Sequence, residues 1–208
     1  MDKKGMLIVI SAPAGCGKDT IVHGLFREFG EFSKYSEFEV YKNKLKLHYS
    51  VSATTRAMRT GEEEGVHYYF ITREKFERLI GEGEFLEYTE YCGNYYGTRR
   101  KTIMNTIEEG GNIILKIEAE GAANIVRMFP DAVLIFILPP SLTELRRRLV
   151  SRGTEDDNTI ELRIQRARIE LANAGDYKYH VTNDDLQTAI NEVADIILSE
   201  IDRRDGHE

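Results

Sequence analysis

Apolar residues alternate along the chain between short continuous runs and stripes at helical spacing. The first run, residues 6–10, is followed by apolar positions on one helix face up to Gly30. An apolar stripe from Leu186 to Ile201 predicts a final helix whose stripe is core. Further buried strands are predicted within residues 112–121 and 132–138, and a short strand at residues 179–183. Strands alternating with helices predict an α/β fold, a parallel sheet with helices on both faces.

The segment of residues 52–98 interrupts this alternation and predicts an inserted lobe. Short strands are predicted for residues 48–55 and 66–71, and a helix closed by glycine for residues 73–83. Residues 84–98 predict a hairpin that turns at the letters CGN. This lobe is richer in short strands and turns than the rest of the chain.

Other stretches give more local predictions. Ser141 with Glu144 and Asn158 with Glu161 fit the capping box that begins a helix. Residues 31–47 alternate aromatic and charged side chains loosely, which fits either a hairpin or an extended excursion.

Composition and charge indicate a globular protein and argue against nucleic-acid binding and a membrane span. The chain has 208 residues, 41% hydrophobic and 30% charged, which fits one globular domain with subdomains, or at most two small domains. A net charge of −7 argues against general nucleic-acid binding. The apolar run of residues 6–10 is too short to cross a membrane. Two cysteines, Cys16 and Cys92, without a secretory segment indicate free thiols and a cytoplasmic protein.

The stretch SAPAGCGKDT, residues 11–20, nearly matches the phosphate-binding loop G-x-x-x-x-G-K-[ST]. Gly15 and Gly17 permit a tight backbone whose N–H groups face phosphate oxygens, and Lys18 can reach the terminal phosphates. Ala12 replaces the first glycine, a change that is tolerable where φ is negative. A dinucleotide fingerprint lacks its third glycine, and no zinc or serine-hydrolase motif occurs.

Several blocks in fixed order then identify a family resemblance. They are SVSATTRAMRTGEEEGVHYYF, GEFLEY, GNYYGT, PPS, RGTE and NDDL. With the phosphate loop they resemble guanylate kinase along nearly the whole chain, the poorest match being residues 31–47. The resemblance implies transfer of the terminal phosphoryl group of ATP to GMP, giving ADP and GDP with Mg²⁺. It also implies a core of residues 1–51, 99–140 and 166–208, a GMP-binding lobe of residues 52–98 and a helical lid of residues 141–165.

The resemblance assigns the acceptor side to residues of the lobe and its surroundings. Two guanidinium forks, Arg56 and Arg59, would grip the doubly charged monophosphate, as their chemistry suits. The tyrosines that donate hydroxyls to this phosphate would be Tyr68 and Tyr96. The residues that match guanine-binding positions are Ser52, Glu87, Thr98 and Glu118. A carboxylate at Glu87 suits guanine because N1–H and N2–H₂ are adjacent donors.

The resemblance assigns the ATP side to the loop and to the NDDL motif. The ATP-binding residues would be Ala14, Gly15, Cys16, Gly17, Lys18, Asp19, Thr20, Asn183 and Asp184. Asn183 and Asp184 fit a helix cap equally well. The catalytic set would be Lys18, Arg56 and the lid arginines Arg148, Arg152 and Arg163, which would stabilise moving charge and exclude water. Arg146 and Arg147 fit a solvated helix face.

Two departures from the family concern the metal. The family has Ser or Thr, a Mg²⁺ ligand, where this chain has Asp19, and tends to have an acid where it has Lys116. One hypothesis is that Asp19 and Lys116 form an ion pair that replaces the usual arrangement; the other is that Asp19 ligates Mg²⁺ directly. Cys16 could have a lowered pKa beside Lys18 or be a small buried filler.

Three functions remain open at this stage. The leading prediction is a guanylate kinase that acts on GMP or dGMP. The alternatives are a catalytically weak relative that only binds, and a nucleoside monophosphate kinase with altered base choice. Retention of Lys18 and the lid arginines argues against a pure binder, and Glu87 and Ser52 argue for guanine.

Overall fold

The computed structural model describes residues 4–29, 46–153 and 156–206. A five-stranded parallel sheet and a four-stranded mixed sheet confirm the predicted α/β class. The chain divides into two compact units, one of Met1–Leu7 and Lys46–Ala132, the other of Ile8–Leu45 and Val133–Glu208. Within the described ranges, no helix is long and apolar enough to cross a membrane.

The elements follow in an order that largely matches the predicted pattern. The strands are β1 (Leu7–Ser11), β2 (Leu47–Ser50), β3 (Ala53–Thr54), β4 (Tyr69–Phe70), β5 (Phe85–Tyr91), β6 (Asn94–Arg99), β7 (Asn112–Lys116), β8 (Val133–Leu138) and β9 (Tyr179–Thr182). The helices are α1 (Lys18–Phe29), α2 (Arg73–Gly81), α3 (Arg100–Glu108), α4 (Ala119–Met128), α5 (Leu142–Ser151), α6 (Asp157–Ala172) and α7 (Leu186–Asp205). The predicted helix end at Gly30 and most of the 31–47 segment fall outside the described residues.

In the first unit, a small aromatic core holds the mixed sheet, whose strand order is β4-β3-β6-β5. Phe76 of α2 is fully buried, and its ring stacks on Phe85 at 4.3 Å and on Tyr95 at 5.2 Å between centroids. Thr72 begins α2 by accepting a hydrogen bond from the N–H of Lys75. Burial of this aromatic cluster fixes the sheet that carries the predicted acceptor residues.

Two strand predictions in this unit need correction. Residues 48–55 form two strands rather than one, because β2 pairs in parallel with β7 whereas β3 pairs with β4 and β6 in the mixed sheet. The strand predicted for residues 66–71 shortens to β4. The hairpin of β5 and β6 is confirmed, and Cys92 (φ 50°) and Gly93 (φ 75°) have the positive φ values that a tight two-residue turn requires.

In the second unit, β8 pairs in parallel with both β1 and β9. β1 and β8 are continuous apolar runs, as expected of strands that are buried on both faces, whereas β9 buries only Val181. Helix α1 lies close to α7 at Gly24, where an added Cβ would lie 2.3 Å from Cδ1 of Ile190. The predicted stripe of α7 is core except at its first member, Leu186, which is 39% exposed.

Of the two capping boxes predicted for helices of this unit, the structure supports the cap at Ser141 and contradicts the one at Asn158. Ser141 caps α5, since its hydroxyl accepts a hydrogen bond from the N–H of Glu144 at 3.1 Å. The box predicted at Asn158 and Glu161 is wrong, because Asp156 caps α6 by accepting from the N–H of Thr159. An acidic residue two positions earlier supplies the same chemistry.

Candidate functional site

A partly open cleft lies within the first unit. It is lined by Ser52, Tyr68, Glu87, Thr89, Tyr96, Gly97, Lys116, Ile117 and Glu118. Five of the eight residues predicted for the acceptor side belong to this lining. The cleft thus brings together side chains that are up to 66 positions apart in the sequence, from Ser52 to Glu118.

Glu87 presents a buried carboxylate to this cleft. The residue is 5% exposed, and its Oε1 accepts a hydrogen bond of 2.6 Å from the hydroxyl of Thr98. Thr98 stands opposite Glu87 in the β5–β6 register, so the mixed sheet itself sets this contact. Thr98, predicted to bind guanine, lies in the structure as the fully buried support of Glu87.

Tyr68 and Tyr96 form the aromatic wall of the cleft, with ring centroids 5.9 Å apart in an edge-to-face arrangement. The guanidinium carbon of Arg56 lies 5.5 Å from the centroid of the Tyr68 ring. A cation over a tyrosine ring is attracted by the electron-rich face of that ring. Arg56, Tyr68 and Tyr96 are therefore grouped, as the sequence predicts.

Glu62, which was not among the predicted site residues, orients Arg56. Its carboxylate takes both terminal nitrogens of Arg56, at 3.0 and 2.7 Å, and also accepts from the N–H of Arg59 at 2.7 Å. Burial acts to raise the pKa of Glu62, but these hydrogen bonds outweigh it and keep the pKa below its usual range. An acid three and six positions after two arginines is the sequence feature that could have indicated this role.

The pairing also acts on Arg56. Burial acts to lower its pKa, but the hydrogen bond and the charge of Glu62, together with Tyr96, outweigh burial, so the pKa lies above its usual value. Arg56 also donates to the carbonyl oxygen of Ala57 at 2.6 Å. The guanidinium is thereby always charged and held from three directions, by Glu62, by Ala57 and by the ring of Tyr68.

Lys116 ends β7 with its side chain toward the same cleft. The residue is 3% exposed, and its Nζ lies 4.7 Å from the Tyr68 ring centroid and 5.6 Å from that of Tyr49. The sequence placed Lys116 near the phosphates, and in its own unit it lines the acceptor cleft. Its pairing with Asp19 stays a prediction.

The phosphate loop lies in the second unit and has the backbone that its glycines predict. Gly15 and Gly17 have φ values of 94° and 87°, which only glycine adopts readily. The N–H of Cys16 donates to the carbonyl of Pro13 at 3.2 Å, and the N–H of Ile21 donates to Gly17 at 2.9 Å. Ala12 has no positive φ, which agrees with the prediction that its methyl group is tolerated.

Asn183 braces this loop from the far end of β9. Its Nδ2 donates to the carbonyl oxygen of Cys16 at 2.8 Å, and a Cβ at Gly17 would lie 2.4 Å from the same nitrogen. The helix cap of the NDDL motif is Asp185, which accepts from the N–H of Thr188. Asn183 therefore shapes the loop and does not cap α7, while Asp184 is exposed.

Helix α5 packs on the loop through apolar side chains. A Cβ at Gly15 would lie 3.0 Å from both Leu145 and Leu149. Arg148 on this helix donates to Glu144 at 2.8 Å. Hydrogen bonds from Arg147 and then Arg148 lower the pKa of Glu144 to about 2.

Three of the predicted cations act electrostatically on the loop. Lys18, Arg148 and Arg152 each act to lower the pKa of the Cys16 thiol. Lys18 is buried, and Arg152 is exposed at the end of α5. The third predicted lid arginine, Arg163, is half-buried on α6.

Cys16 itself does not have a lowered pKa. The residue is fully buried, and burial is the largest effect, raising the pKa of the thiol to about 12 despite the nearby cations. A thiol with such a pKa is almost never deprotonated near neutral pH. The structure therefore favours the interpretation of Cys16 as a small buried filler.

The predicted solvated face of α5 is confirmed. Arg146 pairs with Glu161 of α6, and Arg147 pairs with Glu144, all on exposed or partly exposed surface. In the part of the chain that the structure describes, His, Cys, Asp and Glu side chains form no group of three that could hold a metal ion.

A loop of this shape after a buried parallel strand, together with a cleft that combines carboxylate, tyrosine and arginine, defines a phosphoryl-transfer protein of the P-loop class. The family model described as guanylate kinase matches residues 4–200. The chain therefore belongs to the guanylate kinase family, whose members are nucleoside monophosphate kinases that transfer a phosphoryl group from ATP to GMP.

Individual relatives agree with this assignment. The chain is 46% identical over 198 residues to a guanylate kinase of Clostridioides difficile, covering 95% of this chain and 89% of the relative. It is 43% identical over 197 residues to a guanylate kinase of Carboxydothermus hydrogenoformans, with the same coverage. A crystal structure of guanylate kinase from Anaplasma phagocytophilum, 32% identical, superposes with a TM-score of 0.74 over 95% of this chain and 87% of that one.

Proposed function

We propose that the protein transfers the terminal phosphoryl group of ATP to GMP or dGMP, giving ADP and GDP or dGDP. The observation that carries this proposal is the buried carboxylate of Glu87, held by Thr98 in a cleft that also contains Tyr68, Tyr96 and a cation. A cleft that offers an acceptor for a base and donors for a phosphate suits a purine nucleoside monophosphate.

The choice of guanine rests on hydrogen-bond chemistry. Glu87 has one oxygen engaged by Thr98 and accepts only, so it complements the adjacent N1–H and N2–H₂ donors of guanine. Adenine has an acceptor at N1, which would face the carboxylate and leave both groups unpaired. A buried unpaired charge is costly, so discrimination against adenine follows from the same contact.

The acceptor phosphate is assigned to the group around Tyr68. Arg56 supplies a fixed guanidinium, Tyr68 and Tyr96 supply hydroxyl donors, and Arg59 lies in the same turn. Phosphate monoesters carry close to two negative charges at neutral pH, which this set of donors can match. These residues would bind the acceptor and orient the oxygen that attacks.

The donor side is assigned to the phosphate loop and to α5 and α6. Backbone N–H groups of residues 14–20 and the start of α1 favour an anion, and Lys18 would contact the terminal phosphates. Arg148, Arg152 and Arg163 would stabilise the charge that develops during transfer. Excluding water from this charge matters because water is a competing acceptor.

The metal site is proposed in a modified form. Asp19, half-buried in the first turn of α1, offers the hard carboxylate oxygen that Mg²⁺ prefers, so the donor chemistry fits. Bound with ATP, Mg²⁺ neutralises phosphate charge. The ion pair of Asp19 with Lys116 is the alternative arrangement. It predicts that Lys116→Asp raises the Mg²⁺ requirement more than the double change Asp19→Ser with Lys116→Asp; equal effects would contradict it.

Coupled measurement of ADP release tests the proposed function. ATP is paired with GMP, dGMP, AMP, CMP and UMP over a series of Mg²⁺ concentrations. We expect turnover with GMP and dGMP that depends on Mg²⁺ and falls at least 100-fold in Glu87→Gln. Turnover with no acceptor would indicate a binding protein, and turnover led by another base would indicate a kinase of altered specificity.

We further infer that the protein works in a reducing cytoplasm. Cys16 and Cys92 are both free thiols. A protein with an exposed free thiol at Cys92 suits a compartment that keeps thiols reduced.

A further inference from the structure

Lys116 is the buried cation of the acceptor cleft. It ends β7, directly before Ile117 and Glu118, which also line the cleft. With 3% exposure, its ammonium group has lost nearly all contact with bulk water. At this depth its charge acts on neighbouring groups with little screening by water, which suits an electrostatic role.

The position of the ammonium group relative to Tyr68 indicates that role. Its Nζ is 4.7 Å from the Tyr68 ring centroid, and the guanidinium carbon of Arg56 is 5.5 Å from the same centroid. Two cations thus converge on one tyrosine, beside the hydroxyl-bearing ring of Tyr96. Such a convergence suits a group with two negative charges in the part of the cleft beside Tyr68.

The two cations differ in the donor groups that they carry. Arg56 is committed to Glu62 through both terminal nitrogens and to the carbonyl of Ala57. Lys116 carries a compact ammonium with three donors on a flexible stem, and it belongs to the cleft lining itself. The electrostatic attraction of a buried ammonium for an anion is also less screened than at the surface.

We propose that Lys116 binds the phosphate of the acceptor nucleotide and so selects a nucleoside monophosphate over the free nucleoside. This inference rests on the proposed function of the same cleft. The role is independent of Mg²⁺ and of ATP, which separates it from any pairing of Lys116 with Asp19. A purely structural cation would instead support the cleft equally for both ligands.

Calorimetric titration with GMP and with guanosine, in EDTA and without ATP, tests the proposal. The variants are Lys116→Met, Lys116→Arg and the control Lys101→Met, which removes the same charge from an exposed position on α3. We expect Lys116→Met to weaken GMP about 10- to 100-fold with little change for guanosine. Lys116→Arg should recover part of the GMP affinity, and Lys101→Met should bind both ligands as the unaltered protein does.

Two outcomes would overturn the proposal. One is unchanged GMP affinity in Lys116→Met; the other is equal weakening of GMP and guanosine, which indicates a structural cation. Absence of binding of either ligand to the unaltered protein would instead refute the proposed function. If Lys116→Met does not fold, NMR of the lysine side chains in the unaltered protein replaces the titration. The Lys116 resonance should then shift when GMP is added and stay unchanged with guanosine. A shift with both ligands would overturn the proposal.

Discussion

Gly121 and Glu87 are in direct contact, such that a Cβ on Gly121 would lie 2.4 Å from Oε2 of Glu87. Thr98 holds the other oxygen of the same carboxylate at 2.6 Å. The carboxylate is therefore fixed between a hydroxyl on β6 and the bare backbone of α4. A side chain at position 121 would displace the group to which base recognition is assigned.

Gly121→Ala should consequently raise the KM for GMP at least tenfold with a smaller effect on kcat, because it shifts Glu87 and leaves the phosphate side intact. Steady-state kinetics with varied GMP measures this. Gly81→Ala is the matched control, since an added Cβ there meets nothing within 4 Å. Gly81→Ala should leave the kinetics unchanged; an equally unchanged KM in Gly121→Ala would contradict the assignment of Glu87.

Glu62→Gln should weaken GMP about tenfold. The loss of the negative charge releases Arg56 from its paired geometry, so the guanidinium must be ordered when the phosphate binds. GMP titration measures the effect. Glu63→Gln, an exposed neighbour, is the control and should bind GMP normally. Tighter GMP binding in Glu62→Gln would show that Glu62 competes with the phosphate rather than orienting Arg56.

The two thiols should react at very different rates. With a pKa of about 12, Cys16 is ionised to about one part in 10⁴ at pH 8, and it is also buried. Cys92 is exposed in a turn. A thiol-reactive dye should therefore label one thiol in the native protein and two after denaturation. Cys92→Ser should abolish native labelling with full activity; rapid labelling of Cys16 would contradict its burial.

Glu200 should make stability depend on pH in the acid range. Burial acts to raise its pKa, but hydrogen bonds from Lys178, Tyr179 and Arg203 outweigh it and lower the pKa to about 2. Because the folded pKa is depressed, the stabilisation is present above about pH 4.5 and is lost as the pH falls toward 2.

Glu200→Gln should therefore lower the free energy of unfolding by about 1–3 kcal/mol at pH 7. The difference from the unaltered protein should shrink steadily below about pH 4.5. Urea unfolding at several pH values measures it. Glu192→Gln, on an exposed position of the same helix, serves as the control. A difference that stays constant from pH 7 to 3 would indicate packing rather than charge.

The order of strands and helices could be predicted because buried parallel strands and amphipathic helices have distinct apolar periods. The strand of residues 6–10 and the helix beyond Leu186 are examples, and both exist close to their predicted places. The prediction of a single strand for residues 48–55 was wrong. The first half pairs with β7 and the second half with β6, and the local sequence pattern does not encode these partners. The cap at Asp156 was missed because several polar residues precede α6 and only backbone geometry selects among them.

The residues of the candidate site could be predicted where a motif of the sequence resembles one of the family. Glu87, Tyr68 and Tyr96 were expected from the resemblance, and the structure groups them in one cleft. Supporting contacts were not predictable in this way. The hydrogen bond of Glu62 to Arg56 and the contact of Gly121 with Glu87 depend on three-dimensional proximity. The pKa of Cys16 is raised because burial outweighs the nearby cations, and the degree of burial could not be read from the sequence.

The hydrogen bond from Asn183 to the carbonyl of Cys16 joins residues 167 positions apart. During synthesis the phosphate loop leaves the ribosome early, and at about 5–20 residues per second its brace follows roughly 10–30 s later. Throughout that interval the loop has its full sequence but lacks both Asn183 and the α7 surface that covers α1 at Gly24. The phosphate loop is thus among the first elements to be made and among the last to acquire its final shape. A growing chain cannot hold nucleotide as the finished protein does until synthesis has passed β9 and reached α7.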